Sequence, residues 1–539
     1  MRVIGKYRLG LLLITLACAS AAGLAQSAGG PAVLRESAVS RSEALQAAMG
    51  VADARHLLGR TGFGPTPAEV SEFASLSRGQ AVARLLEGAR SDALMPAPAW
   101  VNEPITPPRS LRDATVEQRL AFQQLEMRRG FELRAWWIGE MLATSSPLTE
   151  RMTLFWHNHF TSSQQKVRYM QLMYRQNALL RQHALGNFGE LLHAVSKDPA
   201  MVIYLDNASS RRDRPNENFA REVMELFTLG EGHYAETDVR EAARAFTGWT
   251  IDPETAGFRW RPFLHDPGEK TVLGRRGRFD GDAVLDILLG EPRTAQHIVT
   301  RLWREFVSPD PDPTEVSRVA RAFHHSRHDI RVALRELLLL PAFWAAENRA
   351  ALVKSPVDFV VGTLRQFDVR VADATPLALV TASLGQNLFS PPNVKGWPGG
   401  EAWINSATLL GRKQFVERLF RADEMRRVAL QPGMERGADE AMAARADGGR
   451  LEASPQLAAQ QQAAQFRARL LRAAGETRFD GSSWFRQFDE AKVVTADCDP
   501  HAGLDRFVLA DAPAYPVPEN VGGRERLRLL TQDPAYQLK

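Results

Sequence analysis

The sequence has almost no cysteine. Its 539 residues include two, Cys18 and Cys498, and Cys18 lies in a segment that we predict is removed on export. The single cysteine left cannot form an internal disulfide, and a zinc site built on several thiolates is excluded. The stability of a chain of this length must therefore come from the burial of apolar side chains.

The sequence also has little excess of charge of either sign. It carries 67 basic and 63 acidic side chains, a formal net charge of +4, which is too small for a nucleic-acid-binding surface. Beyond the N-terminus there is no long apolar run, and the mean hydropathy is -0.27, so a multi-span membrane protein is excluded. Hydrophobic residues make up 44% and charged residues 24% of the chain, which is typical of a globular protein.

The N-terminus has the pattern of a secretory signal peptide. Basic residues precede an apolar run and then several small residues, and the run is shorter than the ~20 residues of a membrane span. We predict a signal peptide over residues 1–25, cleaved after Ala22 or Ala25, and a linker over residues 26–50. The protein is then periplasmic or secreted. The alternatives are an uncleaved anchor helix and a lipoprotein attached through Cys18.

The rest of the chain is patterned for helices. Thr66–Glu69 and Asp312–Glu315 each combine an N-cap residue, a proline at the first helical position and a glutamate that closes a capping box. Between such starts, apolar residues recur at spacings of three and four. Alternating runs are scarce, and Phe258–Trp260 with Thr271–Leu273 would form at most a small β-hairpin. The sequence therefore predicts a mainly α, multi-helix globular fold.

A change in composition divides this helical region. We predict a helical core domain over residues 51–421. After Arg421 the residues Ala, Arg, Glu and Gln dominate, and we predict a partly flexible, helical or irregular extension over residues 422–539. One helix is expected there, from Pro455 to Ala474.

The segment Glu150–Phe160 places two histidines beside an asparagine in an aromatic cluster. On a helix, His157 and His159 point about 200° apart, so only a frayed or extended end would direct both at one metal ion. In the alternative interpretation, one histidine packs in the core with a hydrogen bond and the other caps a helix end.

The segment Asn216–Gly230 predicts a helix with an apolar and a polar face. Asn218, Glu222 and Glu225 share the polar face, at spacings of four and three. Two carboxylates one turn apart are suited to a hard cation, or to an acid and base pair whose pKa values are split by proximity. In the alternative interpretation the face is solvated and Arg221 pairs with Glu225.

The segment Gly385–Asn405 is a loop rich in glycine, proline and tryptophan. Exposed tryptophans in a rigid loop form stacking platforms for sugars or aromatic groups, and buried ones fill a core. On the first interpretation the binding residues of this loop are Asn393, Lys395, Trp397 and Trp403.

Together these segments resemble a bacterial family known as domain of unknown function 1800. The resemblance covers Val51 to Arg412. The matching segments are Arg55–Gly64, Phe155–Phe160, Asn216–Gly230, Asp238–Trp249, His265–Asp266 with Lys270, and Pro392–Trp397. The resemblance implies a secreted protein whose gene often neighbours that of a second exported protein, similar to the alkaline phosphatase and sulfatase fold. It implies no particular reaction. The family often carries twin-arginine signals, whereas this signal is of the general-secretory type.

The first functional hypothesis is a hydrolase-like enzyme that uses a divalent metal or an acid/base pair. The helix near Asn216 would turn its carboxylates inward, against the histidines of the aromatic segment. The catalytic candidates are Glu222, Glu225, His157, Arg221, His265 and Asp266. The candidate metal ligands are His157, His159, Glu222 and Glu225. His233 is a further candidate, and Arg221, Lys270 and Lys354 would stabilise developing negative charge.

The second hypothesis treats the same residues as scaffold. A mainly helical exported protein with a tryptophan-lined loop is suited to bind cell-surface polysaccharide, or to bind the co-exported phosphatase- or sulfatase-like protein. No nucleic-acid partner and no transmembrane span in the mature chain are expected on either hypothesis.

Overall fold

Short polar caps and proline starts produce a chain of many helices. A computed structural model describes residues 47–429, 479–491 and 502–539. The α-helices are α1 (Gly50–Thr61), α2 (Pro67–Ala74), α3 (Arg78–Glu87), α4 (Pro108–Arg112), α5 (Val116–Ala143), α6 (Pro147–His159), α7 (Gln164–Val167), α8 (Met170–Gln182), α9 (Phe188–Ser196), α10 (Pro199–Tyr204), α11 (Glu217–Glu222), α12 (Glu236–Ala245), α13 (Gly281–Gly290), α14 (Pro292–Phe306), α15 (Pro313–His325), α16 (Ile330–Leu338), α17 (Pro341–Trp344), α18 (Pro356–Gln366), α19 (Thr375–Ser383), α20 (Ser406–Ala429), α21 (Gly481–Ala491), α22 (Ala502–Val508) and α23 (Gly523–Gln532). The predicted mainly α fold is confirmed.

The few strands lie between α12 and α13. Strand β1 (Trp249–Ile251) pairs antiparallel with β2 (Phe258–Trp260), and β3 (Lys270–Val272) pairs with β4 (Arg275–Gly277). The sequence predicted one hairpin from the second and third of these segments. Phe258–Trp260 pairs instead with β1, and Lys270–Val272 pairs with β4. Each partner is the nearer one along the chain, so the loop that connects the two strands is shorter.

The predicted helix starts are visible as hydrogen bonds. The Thr66 backbone N–H donates to the Glu69 carboxylate at 2.7 Å, and the Glu69 N–H donates to the Thr66 hydroxyl at 3.2 Å. Asp312 accepts from the backbone N–H groups of Thr314 and Glu315, but the Glu315 carboxylate pairs with Arg318 and does not close the predicted capping box. These caps fix where α2 and α15 begin, and so which faces of the helices meet the core.

The core is rich in aromatic rings where α6 packs against α8. Trp156 contacts Phe160 and Phe188, and Phe160 contacts Phe227, with ring centroids 5.0–5.8 Å apart. Such contacts add directional preference to apolar burial. They hold the C-terminal end of α6, which carries the two histidines and the asparagine of the aromatic segment, in one position.

The described part of the C-terminal region contributes to the core. Trp484 of α21 is buried and donates its indole N–H to the Gln366 carbonyl at 2.9 Å. The Arg55 guanidinium of α1 donates to the Phe507 and Val508 carbonyls. Residues Ala48–Lys539 form one compact unit. The predicted signal peptide and the predicted helix Pro455–Ala474 lie outside the described residues. No helix of the described ranges has the length and apolar character needed to cross a membrane.

Candidate functional site: a cationic cleft

Two helix faces and one loop surround an open cleft of about 490 Å³. Helix α6 contributes one face through Leu154, Phe155 and Asn158, at helical spacing. Helix α14 contributes the opposite face, and the loop Lys395–Trp403 forms a wall. The volume is in the range of small-molecule sites in proteins.

The floor of the cleft is a buried ion-pair network. Arg151 pairs with Asp358 and, at 3.2 Å, with Glu305. Lys539 donates to Asp358 at 2.8 Å and lies 3.9 Å from Glu305. Burial alone would raise the pKa of Asp358, but Arg151 and Lys539 outweigh it and hold this pKa well below its usual range. Both carboxylates on the floor are therefore engaged by cations of the protein.

Among the described residues, Arg301 and Arg304 are the cations of the cleft that lack such a partner, and Arg301 is the more buried of the two. Within residues 47–429, 479–491 and 502–539, no hydrogen bond or ion pair reaches its guanidinium. Burial lowers the pKa of Arg301 to about 10, with Glu305 opposing the shift and Arg304 adding to it. The group still carries its charge at neutral pH. Arg304 and Lys395 add further positive charge at the edge of the cleft.

The loop that carries Lys395 is docked on α6 by a close backbone approach. The Asn158 side-chain carbonyl accepts from the Trp397 N–H at 2.8 Å, and Asn393 accepts from the Lys395 N–H at 2.9 Å. Gly396 has a φ of 82°, and a Cβ there would lie 2.2 Å from the Asn158 oxygen. Only glycine fits this position. The asparagine between the two histidines thus positions the loop.

The two tryptophans of the loop are buried. Trp397 is 5% and Trp403 is 7% exposed. A stacking platform needs a free ring face, which these residues do not offer; they follow the alternative interpretation and fill the core behind the cleft wall. Of the predicted binding residues, Lys395, Trp397 and Trp403 line the cleft, whereas Asn393 shapes the turn.

The predicted histidines do not face a common ion. His157 is 1% exposed among the rings of Trp137, Phe389 and Trp397, and its Nε2 finds no hydrogen-bond partner among the described residues. Burial lowers the pKa of His157 to about 4. His159 places Nε2 3.2 Å from the Phe227 carbonyl, and burial holds its pKa well below the usual value. Both imidazoles are neutral at pH 7.

His159 is one of three side chains that form hydrogen bonds to backbone carbonyls near the end of the predicted carboxylate helix. After α11 the chain continues as a π-helix over Val223–Thr228, a form often found at functional sites. His297 lies 3.0 Å from the Leu226 carbonyl, and Arg293 donates to the Leu229 carbonyl at 2.9 Å. The histidine of the aromatic segment thus stabilises the end of the predicted carboxylate helix.

The two glutamates of this helix are half-buried and near the cleft loop. Glu225 accepts a hydrogen bond from the Tyr234 hydroxyl at 2.6 Å and lies 3.7 Å from the Lys395 Nζ. Burial and, next, Glu225 raise the pKa of Glu222, opposed by Lys395 and Arg221. Lys395 therefore lies between the carboxylate pair and the cleft.

Arg221 does not pair with Glu225. Its guanidinium donates both ends to Glu236, at 2.6 and 2.7 Å. This pair lies at the surface, and it replaces the i,i+4 pair that the alternative interpretation of the sequence expected.

No three of the proposed metal ligands are brought together in the described part of the chain. Among the described residues, no group of three or more His, Cys, Asp or Glu side chains is placed to hold a metal ion. Any set of three drawn from His157, His159, Glu222 and Glu225 is included in this statement. The physical reason is that the buried imidazoles turn into aromatic rings and toward a backbone carbonyl.

The remaining candidates form a separate polar cluster at the short strands. His265 contacts the Thr247 carbonyl through Nδ1 at 3.1 Å, and Asp266 accepts from Arg244 at 2.7 and 3.3 Å. Lys270 donates to the Asp266 and Gly268 carbonyls. None of these residues lines the cleft. His233 is exposed.

Sequence reasoning missed Arg301, Arg304 and the role of Asn158. Arg301 and Arg304 lie one turn apart on an amphipathic helix, a pattern that ordinarily indicates a solvated face. The only sequence signal for Asn158 was its position between two histidines in an aromatic segment.

A family model described as protein of unknown function (DUF1800) matches residues 56–538. The match extends well beyond the Val51–Arg412 span of the resemblance seen in the sequence, and it includes the C-terminal residues that pack against α1 and α18. No curated protein and no solved structure matches the chain.

Proposed function

Because the chain belongs to the DUF1800 family, whose function is unknown, its function must be derived from its site, and we propose that it binds an acidic, sugar-sized ligand in the cationic cleft. The observation that carries this proposal is Arg301, a charged guanidinium in an open cleft without a carboxylate or carbonyl partner in the described part of the chain. A guanidinium offers forked donors that match carboxylate, phosphate and sulfate oxygens.

The surroundings of Arg301 support a small organic anion. Arg304 and Lys395 supply long-range attraction at the edge of the cleft. The cleft volume of about 490 Å³ suits a ligand of one or two sugar rings. A polysaccharide carrying acidic groups would present such a ring from its chain.

Binding is favoured over hydrolysis because the acids at the cleft are already engaged. Asp358 and Glu305 pair with Arg151 and Lys539, and His297 is held on the Leu226 carbonyl. A general base works best with a pKa near the operating pH, whereas the pKa of Asp358 is held well below its usual range and burial lowers the pKa of His297 to about 4.

The carboxylate pair supports a second candidate function, acid/base hydrolysis. Glu222 has a raised pKa beside Glu225, which a tyrosine hydroxyl and Lys395 hold. Such a split is the pattern of an acid and a base. Since no metal-binding group is found among the described residues, this candidate is the metal-free form, and hydrolysis that is lost in Glu222→Gln would favour it.

We also propose that the protein acts outside the cytoplasm, after removal of residues 1–25. N-terminal sequencing of the mature protein should begin at Gly23 or Gln26. A phosphatase- or sulfatase-like partner, exported with it, would act on esters of the same anionic groups that the cleft is suited to retain.

The binding proposal is tested by calorimetric titration with sulfated and unsulfated dextran oligosaccharides of equal length. The sulfated probe should bind, and Arg301→Gln should weaken it at least ~10-fold by removing a charge-assisted contact. Arg276→Gln, which changes an exposed arginine at β4, is the matched control. Equal binding of both probes, or equal affinity of both variants, would overturn the proposal.

A further inference from the structure

A second and much smaller cavity lies on the other side of the cleft floor. It has a volume of about 30 Å³ and shares Asp358 and Lys539 with the cleft. Arg55, His56, Lys354 and Gln366 line the rest of its polar wall, and burial lowers the pKa of His56 to about 3, so this imidazole adds no charge. We propose that this chamber binds one small monovalent anion of halide size, and chloride is the physiological probe.

The charges around the chamber do not balance. Its nearby carboxylates are Asp358 and Glu305, and both pair with Arg151 and Lys539. The other cationic side chains around it are Arg55, Arg60, Lys354 and Arg412. Uncompensated charge in a protein interior is costly. A bound anion would supply the missing negative charge.

The arginines of this group are partly satisfied by carbonyls. Arg55 donates to the carbonyls of the last two residues of α22, Arg60 to those of Phe306 and Val307, and Arg412 to that of Lys354. A carbonyl dipole neutralises a cation only in part. The Nε atoms of Arg60 and Arg412 are buried and find no acceptor in the described ranges.

The Nζ of Lys354 has neither a carbonyl nor a carboxylate acceptor in the described part of the chain. Its Nζ lies 4.0 Å from the centre of the Tyr536 ring. Burial, and then Arg55, lower the pKa of Lys354 well below its usual value, with Asp358 opposing the shift. An ammonium in this position either loses its proton or acquires an anion. The chamber beside it has room for the anion.

The size of the chamber requires a ligand much smaller than that of the cleft. About 30 Å³ exceeds the ~10–15 Å³ that one water-sized particle needs, and it is far too small for a sugar. The remaining wall is apolar or glycine, through Phe63, Gly64 and Gly362. A halide fits such a mixed wall because it carries one charge and needs few donors.

An anion here would join three parts of the chain. Arg55 belongs to α1, Asp358 and Gln366 belong to α18, and Lys539 belongs to the C-terminal segment. The anion would offset the electrostatic repulsion between Arg55 of α1 and Lys539 of the C-terminal segment. Its presence would also change the charge behind the floor of the cleft.

The direct test is crystallographic, with wild-type protein soaked in sodium bromide. An anomalous peak in the chamber beside Lys354 is expected. A chamber that holds only water would overturn the proposal, whether or not the cleft binds acidic sugars.

A second test compares thermal unfolding in sodium chloride and sodium gluconate at equal ionic strength. Chloride should raise the Tm of the wild type by about 1 °C or more, and Lys354→Met should lose that increment. Arg301→Gln, which alters the cleft and leaves the chamber intact, should retain it. Equal Tm values of the wild type in both salts, or an unchanged increment in Lys354→Met, would contradict the proposal.

Discussion

Arg60 and Arg301 are both cationic side chains on helices, and they differ in what they face. The Arg60 guanidinium donates hydrogen bonds to the carbonyls of Phe306, Val307 and Asn348. These bonds connect the C-terminal end of α1 to the C-terminal end of α14. Arg301 faces the open cleft without such partners in the described residues. A basic residue in a family motif therefore need not bind ligand. The cation left without an internal partner is the better indicator of a binding site.

The largest effect on this comparison should come from Asp358→Asn. The substitution leaves Arg151 and Lys539 buried without their carboxylate, and we expect a loss of ~3–5 kcal/mol in the free energy of unfolding at pH 7. Urea titration measures it. Asp213→Asn, at an exposed site, should be close to neutral; equal losses in the two variants would contradict the ion-pair account.

The difference in stability between the wild type and Asp358→Asn should also depend on pH. The pKa of Asp358 lies below its unfolded value of 3.8, so its stabilising contribution is present above that value and is lost as the pH falls through the folded pKa. The stability difference between wild type and Asp358→Asn should therefore shrink under acid.

A smaller loss is expected for Arg60→Met. The apolar replacement leaves buried carbonyls at the end of α14 without a donor, at a cost of about 3 kcal/mol. Chemical denaturation should detect it, while Arg276→Met serves as the exposed control. If Arg60→Met were as stable as the control, the internal arginines would not have the structural role assigned to them.

Gly396 and Gly400 offer a matched pair in the cleft loop. Both have positive φ, 82° and 57°, so alanine at either position costs about 1 kcal/mol in backbone strain. A Cβ at Gly396 would meet Asn158, at 2.2 Å, whereas a Cβ at Gly400 would meet no atom within 4 Å. Gly396→Ala should lower the Tm clearly more than Gly400→Ala. Equal Tm changes would show that the Asn158 contact does not hold the loop.

The smallest effect should come from Glu222→Gln. Since the folded pKa of Glu222 is raised above 4.5 by burial and by Glu225, the wild type should lose stability as the pH rises from 4.5 through that folded pKa. The variant should lack this part of the decline, whereas Glu217→Gln should retain it. Parallel curves of stability against pH for the wild type and Glu222→Gln would show that Glu222 is solvated and would contradict this prediction.

Much of the fold was predictable from local sequence. The N-cap residues Thr66 and Asp312 and the apolar spacing of three and four residues depend on interactions within a few residues, so they indicated the helices directly. The π-helix Val223–Thr228 was not predictable, because the donors that bind its freed carbonyls, His159 and His297, come from distant parts of the chain.

The site was predictable only in part. The sequence singled out the loop with Lys395, Trp397 and Trp403, which lines the cleft. The direction of a buried imidazole is set by packing, so the orientation of His157 and His159 could not be derived from spacing. Arg301 could not be recognised either, since the absence of a partner is a property of the folded molecule.

The hydrogen bond from Arg55 to the Phe507 carbonyl spans 452 residues of chain. During synthesis, α1 is made early, whereas Phe507 is added only after most of the chain has been elongated. Contacts of such long range form only after the intervening chain has been ordered, and they slow folding. We therefore expect the core to close late, after the chain has left the ribosome. Under the export proposed above, the chain would cross a membrane before it folds, and this delay would be an advantage.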